Sequence, residues 1–156
     1  MHTSHTPVPT FDAAELVSAI EDRLETTASQ LDPAQRALTE SIGTFLQTAA
    51  DNAGTTGMQS TGYFVYGPPG RGKTWLMTQL FELAPFDATS KRQVHFHDFF
   101  RSLQQQFGAK TSTREAIDAT LQDLLTGTKL FFFDELHVHD PGSAALLNRL
   151  LAAIVE

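Results

Sequence analysis

The stretch "YFVYGPPGRGKTWLM" runs from Tyr63 to Met77. Tyr63 to Tyr66 is a short run of β-type residues. It meets a turn holding Gly67, Gly70 and Gly72, and the turn ends in Lys73-Thr74, after which the pattern becomes helical through Leu83. Gly67, Gly72, Lys73 and Thr74 satisfy the spacing G-x-x-x-x-G-K-[ST]. The glycines let the backbone take unusual angles and approach a ligand closely. Their N–H groups, together with the positive end of the following helix, suit an anion. The stretch predicts a phosphate-binding loop formed by Gly67, Pro68, Pro69, Gly70, Arg71, Gly72, Lys73 and Thr74, with Trp75 next to it. Lys73 is expected to reach the β- and γ-phosphates of ATP, and the Thr74 hydroxyl to ligate Mg²⁺. Pro68 and Pro69 are expected only to stiffen the turn.

A second half of such a site follows in "LFFFDEL", Leu130 to Leu136. A fully apolar run reads as a strand buried on both faces. Two acids at its end fall on the carboxyl edge of the sheet, where α/β folds place ligands. Asp134 is expected to hold Mg²⁺ through a coordinated water. Glu135 is expected to polarise the attacking water as general base, which favours water over a small-molecule hydroxyl as phosphate acceptor. An isolated Asp-Glu after a strand is a common solvated turn; its coincidence with the glycine-rich loop is what gives it weight.

The 156 residues suit one ordinary domain, and a 41% hydrophobic fraction can build a core. No apolar run reaches the length of a membrane span. The N-terminus, MHTSHTPVPTF, has neither the charge nor the apolar segment of a secretory signal, and no Arg of the kind transit peptides carry. The chain has no Cys, which excludes disulfides and thiolate metal sites and fits a cytoplasmic protein. Net charge is −7, and the first 60 residues hold two basic and eight acidic side chains. Neither half presents a basic nucleic-acid surface. The acidic first part is not a membrane-binding helix either.

Along the chain, residues 1–10 read as a disordered tail. Residues 11–60 read as a helical region and linker: a helix from Phe11 to Glu25, a second introduced by Asp32, Pro33 and Gln35, then "AGTTGMQSTG". Leu38, Ile42, Phe45, Leu46 and Ala49 form the apolar stripe of the second helix. Residues 61–156 alternate β-α-β-α-α-β-α. The strands are expected at Tyr63–Tyr66, at "QVHFH" (Gln93 to His97) and at Leu130–Phe133. Helical faces are expected over Phe99, Phe100, Leu103 and Phe107, over Ile117 to Leu125 after a cap at Ser112 or Thr113, and over Ala144 to Val155. This order predicts an α/β fold with a parallel sheet covered by helices.

The histidines invite a metal reading. His95 and His97 lie two apart on one face of the expected strand, and His137, His139 and Asp140 follow Glu135. No H-E-x-x-H or fourth ligand accompanies them, so packed positions for His95 and His97, and a place near the nucleotide edge for His137 and His139, are the better reading.

Four stretches resemble the ZapE-type cell-division ATPases, the ATPase-family-gene-one-like branch of the AAA+ proteins: "GYFVYGPPGRGKTWLM", "VHFHDFF", "LFFFDELHVHD" and "ALLNRLLAAI". The His-Phe-His box between the two ATP motifs is the most selective. The resemblance implies a three-layer P-loop AAA+ core with strand order 5-1-4-3-2, preceded by helices. It implies ATP and Mg²⁺ as ligands, self-association into an oligomer, and recruitment to division-ring proteins at the inner membrane face. Pro68-Pro69, Leu136-His137 and Pro141-Gly142 depart from the family pattern. The family continues past this sequence into a sensor strand, an arginine finger, a last strand and a helical lid. Residues 61–156 are therefore expected to form the AAA+ domain without its C-terminal half, with low turnover and a tendency to aggregate. The other readings are a nucleotide-binding fragment without turnover, an AAA+ loader and a small-molecule P-loop kinase.

Overall fold

The protein is described by a computed structural model covering residues 12–25, 29–52, 62–99, 101, 113–136, 138 and 141–155. The expected disordered tail, most of the Ala53–Gly62 linker, Phe100, Leu103, Phe107, Ser112, His137, His139 and Asp140 lie outside the described residues. The elements are α1 (Ala13–Glu25), α2 (Pro33–Asp51), α3 (Lys73–Leu83), a short 3-10 turn (Ala88–Ser90), β1 (Lys91–His95), α4 (Thr113–Leu125), β2 (Leu130–Asp134) and α5 (Pro141–Val155). Residues 96–99 and 101 are also helical. No described helix is long and apolar enough to cross a membrane.

The chain divides into two compact units. One comprises residues 1–52 and 75–85, the other residues 53–74 and 86–156. In the first, α1 and α2 pack on each other. The start of α2 is fixed locally: Asp32 Oδ1 accepts from the Gln35 N–H at 2.8 Å, and Gln35 Oε1 accepts from the Asp32 N–H at 2.9 Å. This reciprocal cap satisfies two amide donors that a helix end otherwise leaves unpaired. Leu16, Val17 and Ile20 of α1 are buried, as are Thr39, Ile42, Gly43 and Leu46 of α2. Leu38 and Phe45 are only half-buried. Gly43 marks a close approach: a Cβ there would lie 2.9 Å from Ala13 Cβ and 3.1 Å from Ala13 Cα. The remainder of α3 belongs to this unit, with Leu76 and Leu80 almost fully buried. Arg23 donates to Gln79 and, at 2.8 Å, to Glu82.

In the second unit β1 and β2 form a parallel pair in which Lys91 faces Leu130 and His95 faces Asp134. The Lys129 N–H donates to the Ser90 carbonyl at 2.8 Å, which extends the pairing at its start. Phe133 is the hub of an aromatic cluster. Its ring centroid lies 5.7 Å from Phe96, 5.6 Å from Phe99 in an edge-on contact, and 5.4 Å from Phe131. The edge-on arrangement sets ring edge against ring face, which their quadrupoles favour. Phe96 and Phe99 are buried, and so is Leu150 of α5.

Four expectations need correction. Tyr63–Tyr66 is not a strand: residues 62–68 have no regular structure, and Phe64 and Tyr66 are 69% and 83% exposed. A strand exists only by pairing, and among the described residues β1 and β2 pair with each other and not with this segment. The second strand starts and ends earlier than "QVHFH". It spans Lys91–His95, and Phe96 opens a helical segment because Phe96 and Phe99, three apart, bury one helical face. His97 is thus helical and exposed, and His95 is exposed rather than packed. Leu130 to Phe133 is half-buried, because a sheet of two strands covers its residues incompletely.

Candidate functional site

The turn after residue 66 takes the form its glycines allow. Gly70 and Gly72 have φ of 72° and 68°, a region that costs a residue with a Cβ about 1–2 kcal/mol. Two such residues fold the chain back so that Lys73 opens α3. The Lys73 ammonium lies over the same turn, donating to the Gly67 carbonyl at 2.9 Å and the Pro68 carbonyl at 2.6 Å. Pro68 therefore does more than stiffen the loop: lacking an N–H, it still supplies the oxygen that holds Lys73. Pro69, Arg71 and Thr74 are exposed, and Trp75, the chain's single tryptophan, is 38% exposed.

The carboxyl edge of the two-stranded sheet carries the second group. Asp134 ends β2 and is 7% exposed. Its Oδ1 accepts from the N–H of Glu135 at 2.9 Å. Its Oδ2 faces His95 Nδ1 at 3.8 Å, too far for a direct hydrogen bond. Glu135 is exposed, with φ of 55°, the one non-glycine positive φ among the described residues. Strain of this kind persists where the surroundings impose it, and it gathers at functional sites.

The two groups belong to the same compact unit, which holds Gly67–Thr74, His95, Asp134 and Glu135. Sequence reasoning gave each of these a site role except His95, which it weighed as a metal ligand and read as packed, and which also lies in the His-Phe-His box. Its partner became visible only through the register that sets it beside Asp134. Arg149, the one arginine after Glu135, is engaged with Asp118 of α4 at 3.1 Å.

The Asp134 carboxylate and the Thr74 hydroxyl each offer the oxygen chemistry that suits a hard divalent cation. One oxygen of the buried Asp134 carboxylate accepts a backbone N–H, the other has no hydrogen-bond donor in range among the described residues, and Thr74 is exposed. Magnesium is held by one or two such oxygens plus phosphate and water rather than by a full protein cage. No group of three or more His, Asp or Glu that could hold a metal occurs among the described residues.

The sequence profile of the AFG1-like ATPases matches residues 8–156. The chain belongs to the AFG1-like ATPase family. It is 32% identical over 102 residues to an uncharacterized protein of Schizosaccharomyces pombe, a match covering 61% of this chain and 22% of that protein. It is 30% identical over 93 residues to the cell division protein ZapE of Escherichia coli K12, covering 60% of this chain and 24% of ZapE. The chain thus spans under a quarter of the length of these curated relatives. No solved structure matches it. Family membership agrees with the resemblance read from the four sequence stretches.

Proposed function

We propose that the chain is the ATP-binding part of a ZapE-type AAA+ ATPase, and that it binds Mg-ATP and hydrolyses it. The observation that carries this reading is the Gly67–Thr74 turn, with two left-handed glycines and a lysine at the first position of the helix. In this reading the Lys73 ammonium exchanges the Gly67 and Pro68 carbonyls for phosphate oxygens. Its present contacts hold it at the turn, so little reorientation is needed. Asp134 and Thr74 would hold magnesium. When bound, that ion neutralises charge on the β- and γ-phosphate oxygens. Glu135, exposed at the strand end, takes the proton of the attacking water.

The full three-layer core, oligomerisation and action at the division apparatus are part of the same proposal. They are supported by the family match and by the name of the E. coli relative. A second reading, nucleotide binding without turnover, is favoured by one observation: Arg149 is tied to Asp118. An arginine that stabilises transition-state charge is worth ~10³–10⁵ in rate in related P-loop systems. Hydrolysis by this chain alone is therefore expected to be slow.

Phosphate release from Mg-ATP, measured with and without Glu135→Gln, separates the two. Loss of a general base lowers the rate by ~10²–10⁴. A slow rate that falls to background in Glu135→Gln supports hydrolysis. A rate unchanged by the substitution removes Glu135 from the mechanism.

A further inference from the structure

His95 is the last residue of β1, and the parallel register sets it directly beside Asp134. The two carboxylate oxygens of Asp134 differ. Oδ1 is taken by the Glu135 N–H at 2.9 Å, and among the described residues Oδ2 faces the His95 ring, whose Nδ1 is 3.8 Å away. Asp134 is buried, so its rotamer matters; the His95 side chain is 51% exposed and its backbone is paired in the strand. Phe96 and Phe99, packed on Phe133, fix the chain on the other side of His95. The His95 backbone therefore stands at a set place on the sheet's carboxyl edge, with the ring beside Asp134. A proton on Nδ1 makes the ring a donor toward Oδ2. At 3.8 Å it reaches that oxygen through a small shift or a shared water.

We propose that His95 is a positioning residue for Asp134: it holds the carboxylate with Oδ1 on the Glu135 amide and Oδ2 directed to the magnesium shell, and so sets the magnesium dependence of nucleotide binding. This rests on the Mg-ATP reading above. Groups that orient a metal-binding carboxylate change metal affinity about 10–100-fold when removed. A 3.8 Å contact made by a half-exposed imidazole, outside hydrogen-bond range, contributes little to folding. Function and stability should therefore separate at this position.

The test is a magnesium titration of the 156-residue chain in the presence of a non-hydrolysable ATP analogue, read by Trp75 fluorescence. His95→Ala should raise the magnesium concentration at half-maximal response about 10-fold or more. Analogue binding in EDTA and the urea unfolding midpoint should stay unchanged. His95→Asn, whose Nδ2 stands where Nδ1 stood and carries a donor, should restore the dependence to within about 3-fold of the unmutated chain, as a positioning role requires. An unchanged magnesium midpoint in His95→Ala overturns the inference while leaving Mg-ATP binding intact. A shift that His95→Asn does not restore overturns the donor geometry. If the unmutated chain shows no magnesium-dependent response, the Mg-ATP reading fails and the role of His95 fails with it. His95→Ala acting equally with and without magnesium would mark a structural residue and also count against the proposal.

Discussion

The backbone at Glu135 yields a prediction whose sign depends on one angle. Glu135→Gly and Glu135→Ala both remove the carboxylate, and they differ only by a methyl group. The side chain is exposed, so its deletion costs little by itself, within about 0.5 kcal/mol. At φ of 55° a residue with a Cβ is disfavoured by about 1–2 kcal/mol, which glycine does not suffer. Glycine in turn loses about 0.5–1 kcal/mol through the greater freedom of the unfolded chain. The balance makes Glu135→Gly the more stable variant by about 0.5–1 kcal/mol. At an ordinary negative φ the same pair would rank the other way by a similar amount. For a chain of this length the expected difference is a rise of about 1–4 °C in Tm for Gly over Ala, with a matching shift of the urea midpoint. Far-UV circular dichroism is the suitable assay. Both variants should lose phosphate release alike. Glu135→Gly unfolding at a lower temperature or urea concentration than Glu135→Ala would refute the strained turn and the reasoning built on it.

Two further predictions concern the helical unit. Gly43→Ala gains about 1 kcal/mol of helix propensity but places a Cβ 2.9 Å from Ala13 Cβ, where overpacking costs about 1–3 kcal/mol. A net loss of up to about 2 kcal/mol is expected in urea unfolding, recovered when Ala13→Gly is added; a stabilised single variant would contradict the close approach. Asp32→Ala removes the acceptor for the Gln35 amide and should cost about 1 kcal/mol, seen as a lower urea midpoint, whereas Asp32→Ser should retain most of it.

What the sequence made legible was mostly local. The cap of α2 is written in Asp32, Pro33 and Gln35, which interact within one turn. The turn from Gly67 to Lys73 is likewise set by the spacing of its own glycines and Lys73. The features that escaped depend on partners distant in sequence. "QVHFH" alternates like a strand, yet the aromatic cluster on Phe133 draws Phe96 and Phe99 into a helix and leaves His97 exposed. Tyr63–Tyr66 has the composition of a strand, but composition does not supply neighbours to pair with. Gly43 looks unremarkable within an apolar stripe until Ala13 of another helix lies against it. The place of His95 beside Asp134 follows from strand register, which neither strand encodes alone.

The central claim is that the Gly67–Thr74 turn holds the phosphates of a nucleotide through Lys73. Titration calorimetry of Mg-ATP into the unmutated chain and into Lys73→Ala tests it most directly. Lys73 makes two carbonyl contacts that it would exchange for charge-assisted bonds to phosphate, each worth about 1.5–3 kcal/mol. The account predicts saturable binding by the unmutated chain and a loss of at least about 10-fold in affinity for Lys73→Ala. Equal binding by both chains, or none by the unmutated one, would contradict it.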